Sequence, residues 1–199
     1  MSFRRNTLLG GLALTLVFAP SDLRAQDASL CWLRGETTPE QAAAKASPLK
    51  VVAITMGEET AQLCHSSPAA NGRAVMGELV PFGELWRTGA NEPTQFILPF
   101  DAKVGGTEVA KGHYSLYSIP GEDEWQFFLS PVYERWGIPI TDEVRAVEVG
   151  FTRTAATTDE MIESLTFRWA SHGEMMGHLV LEWEHTRVEI PIHHGSMGH

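Results

Sequence analysis

Two groups of side chains in this sequence carry the chemistry of a binding site. The first is Trp86-Arg87-Thr88-Gly89-Ala90-Asn91-Glu92, with Arg73 a short way upstream. A guanidinium donates through a planar fork to two oxygens, and a carboxamide offers a donor and an acceptor together. Arg73, Arg87, Asn91 and Glu92 therefore suit a pocket for a carboxylate or a sugar, with Trp86 as an aromatic wall. The same groups also suit a structural network that satisfies buried loop backbone and pairs Arg87 with Glu92 or Glu84, because unpartnered buried polar atoms are costly.

The second group combines imidazole and thioether. His172, Met175, Met176 and His178 fall in one turn, and His193, His194, Met197 and His199 crowd the C-terminus. Such ligands suit copper. The competing reading is a tail that takes divalent metals adventitiously and a Met pair that fills a gap in the core.

Catalytic motifs are absent from the sequence. It has no His-Glu-x-x-His, no Gly-x-Ser-x-Gly, no phosphate loop and no dinucleotide fingerprint. Glu122 and Asp123 fall in a turn, where a solvated pair is expected rather than a glycosidase pair. Ser66 and Ser67 lie beside His65 in sequence, which is not how a nucleophile meets its base. Whether the chain is an enzyme stays open, since a hydrolase site assembled from scattered residues leaves no such mark.

The elements that must hold these groups are strands. Phe96, Leu98 and Phe100 alternate with Gln95 and Ile97, the period of an extended chain with one face buried. Gly89 permits a positive backbone torsion and Pro93 disfavours helix before it, so residues 86–92 are expected in a bent connection. Residues 49–55 and 60–65 read as a hairpin across Met56-Gly57-Glu58-Glu59, and Val104-Gly105-Gly106-Thr107 as a second tight turn. Strands follow at 113–119 and 124–129, then a long packed loop at 130–141 with Tyr133 and Trp136 as anchors. Strand character resumes at 144–151, passes a polar bend at 152–163, and returns at 165–169. The last hairpin carries apolar residues at odd positions before Glu184-His185-Thr186 and at even positions after it, which requires a turn or bulge there. About ten short strands with glycine and proline turns predict an all-β domain, an antiparallel β-sandwich or jelly-roll, over residues 48–192. An arm at 26–47 precedes it, with at most a short helix near Pro39, and a His/Met-containing tail at 193–199 follows.

Residues 1–25 have Arg4 and Arg5, an apolar run from Leu8 to Ala19, and a small residue before Gln26. This is the pattern of a secretory signal peptide, compatible with the Sec or the twin-arginine route. The run is too short to span a bilayer. Its removal takes three arginines and one aspartate from the 15 basic and 25 acidic side chains, leaving 12 against 24. A net charge of −12 repels phosphate backbones and anionic membranes, so the expected partner is a small molecule or a protein. Export also places Cys31 and Cys64 where disulfides persist, and a bridge between them would tie the arm to the first strands.

Several strings resemble the exported bacterial family known as domain of unknown function 2911. They are Gly72-Arg73, the run from Gly77 to Glu92, Gly112-His113-Tyr114-Ser115-Leu116, Ile119-Pro120-Gly121, Trp125 and Glu182-Trp183-Glu184-His185-Thr186-Arg187-Val188. The resemblance covers about residues 47–192 and implies a secreted β-rich domain without implying a reaction. Cys64-His65-Ser66-Ser67-Pro68 departs from the family's usual Tyr-Ser-Arg-Pro type of string, which removes a basic residue from that neighbourhood.

Overall fold

Alternating burial builds one nine-stranded antiparallel sheet that curls into two layers. The computed structural model describes residues 27–195; the signal-peptide reading and the candidate ligands Met197 and His199 lie outside them. The strands are β1 (Leu49–Met56), β2 (Glu59–Ser66), β3 (Thr94–Leu98), β4 (Ala102–Val104), β5 (Thr107–Val109), β6 (Gly112–Ile119), β7 (Glu124–Ser130), β8 (Val149–Ser171) and β9 (Met176–His194). Their spatial order is β1-β2-β3-β6-β7-β8-β9-β4-β5. Phe96, Leu98, Trp125, Phe127, Leu165, Leu181 and Trp183 meet in the main core, each at most 2% exposed. No helix among the described residues is long and apolar enough to cross a membrane.

The all-β expectation holds, and the differences are informative. Two strands are long rather than short: β8 has 23 residues and β9 has 19. The polar stretch 152–163, expected as a bend, stays extended in β8, with register shifts against β9 at Thr157/Ile162 and Ile162/Thr166. Bulges bend a strand without ending it, so β8 and β9 can pass from one layer to the other. Glu184 takes a left-handed φ of 54° at the site where the sequence demands a parity change. Residues 144–148 are not the strand expected over 144–151: β8 begins only at Val149, and residues 142–145 form a helical turn, α2 (Asp142–Arg145). Asp142 and Glu143 lie at its start and Arg145 at its end, charges that complement a helix dipole, and Val144 is buried.

The outer face of β3 is covered by the N-terminal arm. Its short helix, α1 (Pro39–Ala43), is closed by a reciprocal capping box between Thr38 and Gln41. Cys31 and Cys64 form the expected disulfide, with Cα atoms 5.9 Å apart. Around it Ala42, Leu49 and Ile97 make a second small apolar cluster. Gln95 bonds both backbone groups of Trp32, accepting from its N–H at 2.7 Å and donating to its carbonyl at 2.9 Å.

Candidate ligand-binding cleft

The loop at 86–92 is held by hydrogen bonds on both sides. Trp86 exchanges two backbone bonds with Ser118, each 2.8 Å. Thr88 is fully buried at φ 52°, a left-handed conformation that strains a β-branched residue. Its hydroxyl lies 2.9 Å from that of Ser118, and its carbonyl accepts from Thr94 Oγ1 at 2.8 Å. The positive torsions expected at Gly89 thus fall on Thr88 and Asn91 instead. Gly89 is needed for close approach: a Cβ there would stand 2.8 Å from Thr94 Oγ1 and 3.2 Å from the Ser66 carbonyl.

The polar residues singled out in the sequence do not converge on one point. Arg73 donates to the carbonyls of Ala70 and Ala69, at 2.8 and 2.9 Å, and so holds its own exposed loop. Asn91 donates to the Ser47 carbonyl at 3.0 Å, and Glu92, 2% exposed, pairs with Lys45 at 2.8 Å. Both therefore fasten the arm. The second Glu92 oxygen is buried without a partner. Arg87 alone remains available: its Nε reaches the Gly89 carbonyl at a long 3.3 Å, and it makes no ion pair among the described residues. Burial pushes its pKa below the ordinary value, opposed by the charge of Glu92. The loop 131–141 closes over it at Gly137, where a Cβ would meet Arg87 Cδ at 2.7 Å.

Arg87 lines a cleft of 260 Å³ with Trp86, Trp183, Leu79, Leu85 and Ile138. Trp86 stacks on Trp183 at 6.0 Å and meets Trp125 edge-on at the same distance. The Trp183 indole donates to the Glu163 carbonyl at 3.2 Å, and the Glu184 carboxylate accepts from the amides of Val75 and Met76. These ties bring the loop 71–85 against the closing hairpin. The cleft mouth is apolar and exposed: Leu79 is 41%, Leu85 37% and Ile138 53% accessible. Sequence reasoning missed Leu79, Leu85, Ile138 and Trp183 as lining residues. For Leu79, Leu85 and Ile138 the one signal was a large apolar side chain in a stretch with no helix or strand period, whereas Trp183 followed the alternation of its strand and read as core.

The His/Met stretches meet at the opposite chemistry. His172 and His178 approach to 3.2 Å, and His178 lies 3.1 Å from Glu189. His194 bonds Glu59 at 2.7 Å with its ring 4.1 Å from that of Phe100, and its amide donates to the Met175 carbonyl. His193 sits in β9 opposite Lys103. Met175 and Met176 are exposed. Among the described residues no three His, Cys, Asp or Glu side chains are grouped to hold a metal.

The strings behind the family resemblance therefore join in space: Trp86, Trp125 and Trp183 pack together, and Glu184 binds the loop that follows Arg73. Comparison with curated proteins and with solved structures finds no match. A family model described as "Protein of unknown function (DUF2911)" matches residues 47–192, from the end of the arm to the last strand. That match covers most of the 199 residues, and the chain belongs to the DUF2911 family.

Proposed function

We propose that this is an exported, non-catalytic binding protein that takes a small amphipathic anion, an aryl or short branched carboxylate, in the Trp86–Arg87 cleft. One observation carries the reading: a half-buried guanidinium with no ion pair among the described residues shares a cleft with Trp86 and an exposed apolar rim. A carboxylate on Arg87 would form charge-assisted hydrogen bonds worth about 1.5–3 kcal/mol. The ring or branched group would lie against Trp86, Leu79 and Ile138. The volume of 260 Å³ falls below the roughly 300–1,000 Å³ of pockets for drug-sized molecules, which restricts the ligand to a compact one. The N-terminal sequence and the disulfide both suit an oxidising, extracytoplasmic compartment. A panel of aryl and alkyl carboxylates, with the matching amides and amines as controls, titrated against tryptophan fluorescence tests the proposal. Aryl carboxylates should quench or shift the emission where amides and amines do not. A panel without any carboxylate-dependent response refutes it.

A further inference from the structure

A second cleft, separate in its lining from the Trp86–Arg87 site, opens where the curled sheet fails to close. The free edge of β1 faces the C-terminal half of β8, and residues 50–53 and 165–169 line a space of 450 Å³ between them. Among the described residues β1 pairs only with β2, and this part of β8 only with β9. Bonds tie the gap at both ends: Leu165 N–H donates to the Pro68 carbonyl at 2.9 Å, and Gly57 N–H to the Glu174 carbonyl at 2.8 Å. A seam of this kind in an otherwise paired sheet leaves room within the range of small-molecule pockets, roughly 300–1,000 Å³.

Its chemistry is uneven in an informative way. The walls are apolar, with Val52, Leu165, Phe167 and the Trp169 ring. Into these walls are set two buried ring nitrogens without partners, His65 Nδ1 and Trp169 Nε1. His65 is 2% exposed and fixed by an edge contact with Phe167 at 4.9 Å. Trp169 is fixed against Gly177, where a Cβ would stand 2.5 Å from its ring carbons. Burial holds the His65 ring neutral, with its pKa lowered to about 4. At the rim, Arg168 is engaged by Glu182 at 3.1 Å, whereas the Lys50 ammonium has no ion pair among the described residues. An indole N–H can only donate, so the absent partner is an acceptor. An unpaired indole donor and a neutral imidazole, beside a lysine with no ion pair among the described residues, make this apolar cleft complementary to an oxygen anion on an apolar body.

We infer that the β1/β8 seam is a binding site for a linear apolar carboxylate, its chain between Val52 and Phe167 and its carboxylate shared by the Trp169 indole N–H, His65 and Lys50. A medium-chain acid such as decanoate is the probe, used below its micelle-forming range. The full mature protein, labelled with nitrogen-15, reports through the Trp169 indole signal, which is assigned by its loss in Trp169→Phe. Decanoate should move that signal and the His65 ring signals together, decanol should not, and Lys50→Glu should weaken the effect by at least about tenfold, the lower end of one charge-assisted bond. Lys50 is exposed, so its substitution leaves the core untouched. A Trp169 signal that decanoate leaves in place overturns the inference: the indole nitrogen is then sealed from the cleft. So does a response spread over exposed residues everywhere, or one undiminished in Lys50→Glu. The Trp86 indole reports separately on the first cleft, so failure at either site is read independently of the other.

Discussion

Replacing Arg87 with glutamine separates a binding residue from a structural one. The interactions lost are countable: one long hydrogen bond to the Gly89 carbonyl and the last part of a side chain that packs under Gly137. A neutral bond is worth about 0.5–1.5 kcal/mol, and removing a half-desolvated charge offsets part of it. The net change should stay within about 1 kcal/mol. For a domain of this size, that is a fall in Tm of about 2–4 °C. Glu92→Ala is the contrast, because its carboxylate is buried, holds Lys45 of the arm and leaves a void when removed. That variant should lose about 2–4 kcal/mol and melt several degrees lower. Scanning calorimetry of the two variants, beside carboxylate titration of Arg87→Gln, gives the readout. A near-normal Tm with binding lost is expected for Arg87→Gln. A fall beyond about 8 °C would make Arg87 part of the scaffold and remove the reason for assigning it to a ligand.

Three further outcomes follow from other parts of the molecule. Replacing both Cys31 and Cys64 by alanine opens a loop with a sequence separation of 33, and should cost about 4 kcal/mol by chain entropy, read from urea unfolding. Gly105→Ala would place a Cβ 2.1 Å from the Phe151 ring at a φ of +60°, and should cost about 2–4 kcal/mol by the same assay. His65 stays neutral in the folded chain down to pH about 4, whereas the unfolded chain takes up its proton near pH 6.5. The unfolded state therefore binds more protons between those values, so stability is whole above pH about 6.5 and declines as pH falls toward 4. His65→Phe should flatten that slope in a Tm-against-pH series.

What could be read from residue order was the part governed by local period. Alternation marked β3, β6 and β7, glycine placement marked the turns after β1 and β4, and the parity switch around Glu184 announced its bulge. Residues 152–163 misled because a strand with solvent on both faces has no apolar period, so a bulged continuation and a bend look alike. The loop at 86–92 was recognisable as special, but the destinations of its side chains were not. Lys45 and Ser47, which engage Glu92 and Asn91, lie more than forty residues away, and no local rule names them. Likewise the Trp86–Trp183 stack unites distant positions, and both clefts arise between elements rather than within one. Alternation set Gln95 and Ile97 on the face of β3 opposite Phe96 and Leu98, yet Gln95 is 1% exposed because the arm, fixed by the disulfide, folds over it.

In the proposed function Arg87 and Trp86 act as a single recognition unit for a compact anion. The most direct measurement of this is nitrogen-15 spectroscopy of the Arg87 side-chain Nε–H and the Trp86 indole N–H during titration with phenylacetate. Both signals should move along one saturation curve, and the Trp86 response should vanish in a folded Arg87→Gln variant. Signals that stay fixed throughout, or a Trp86 shift that persists unchanged without the guanidinium, would contradict that function.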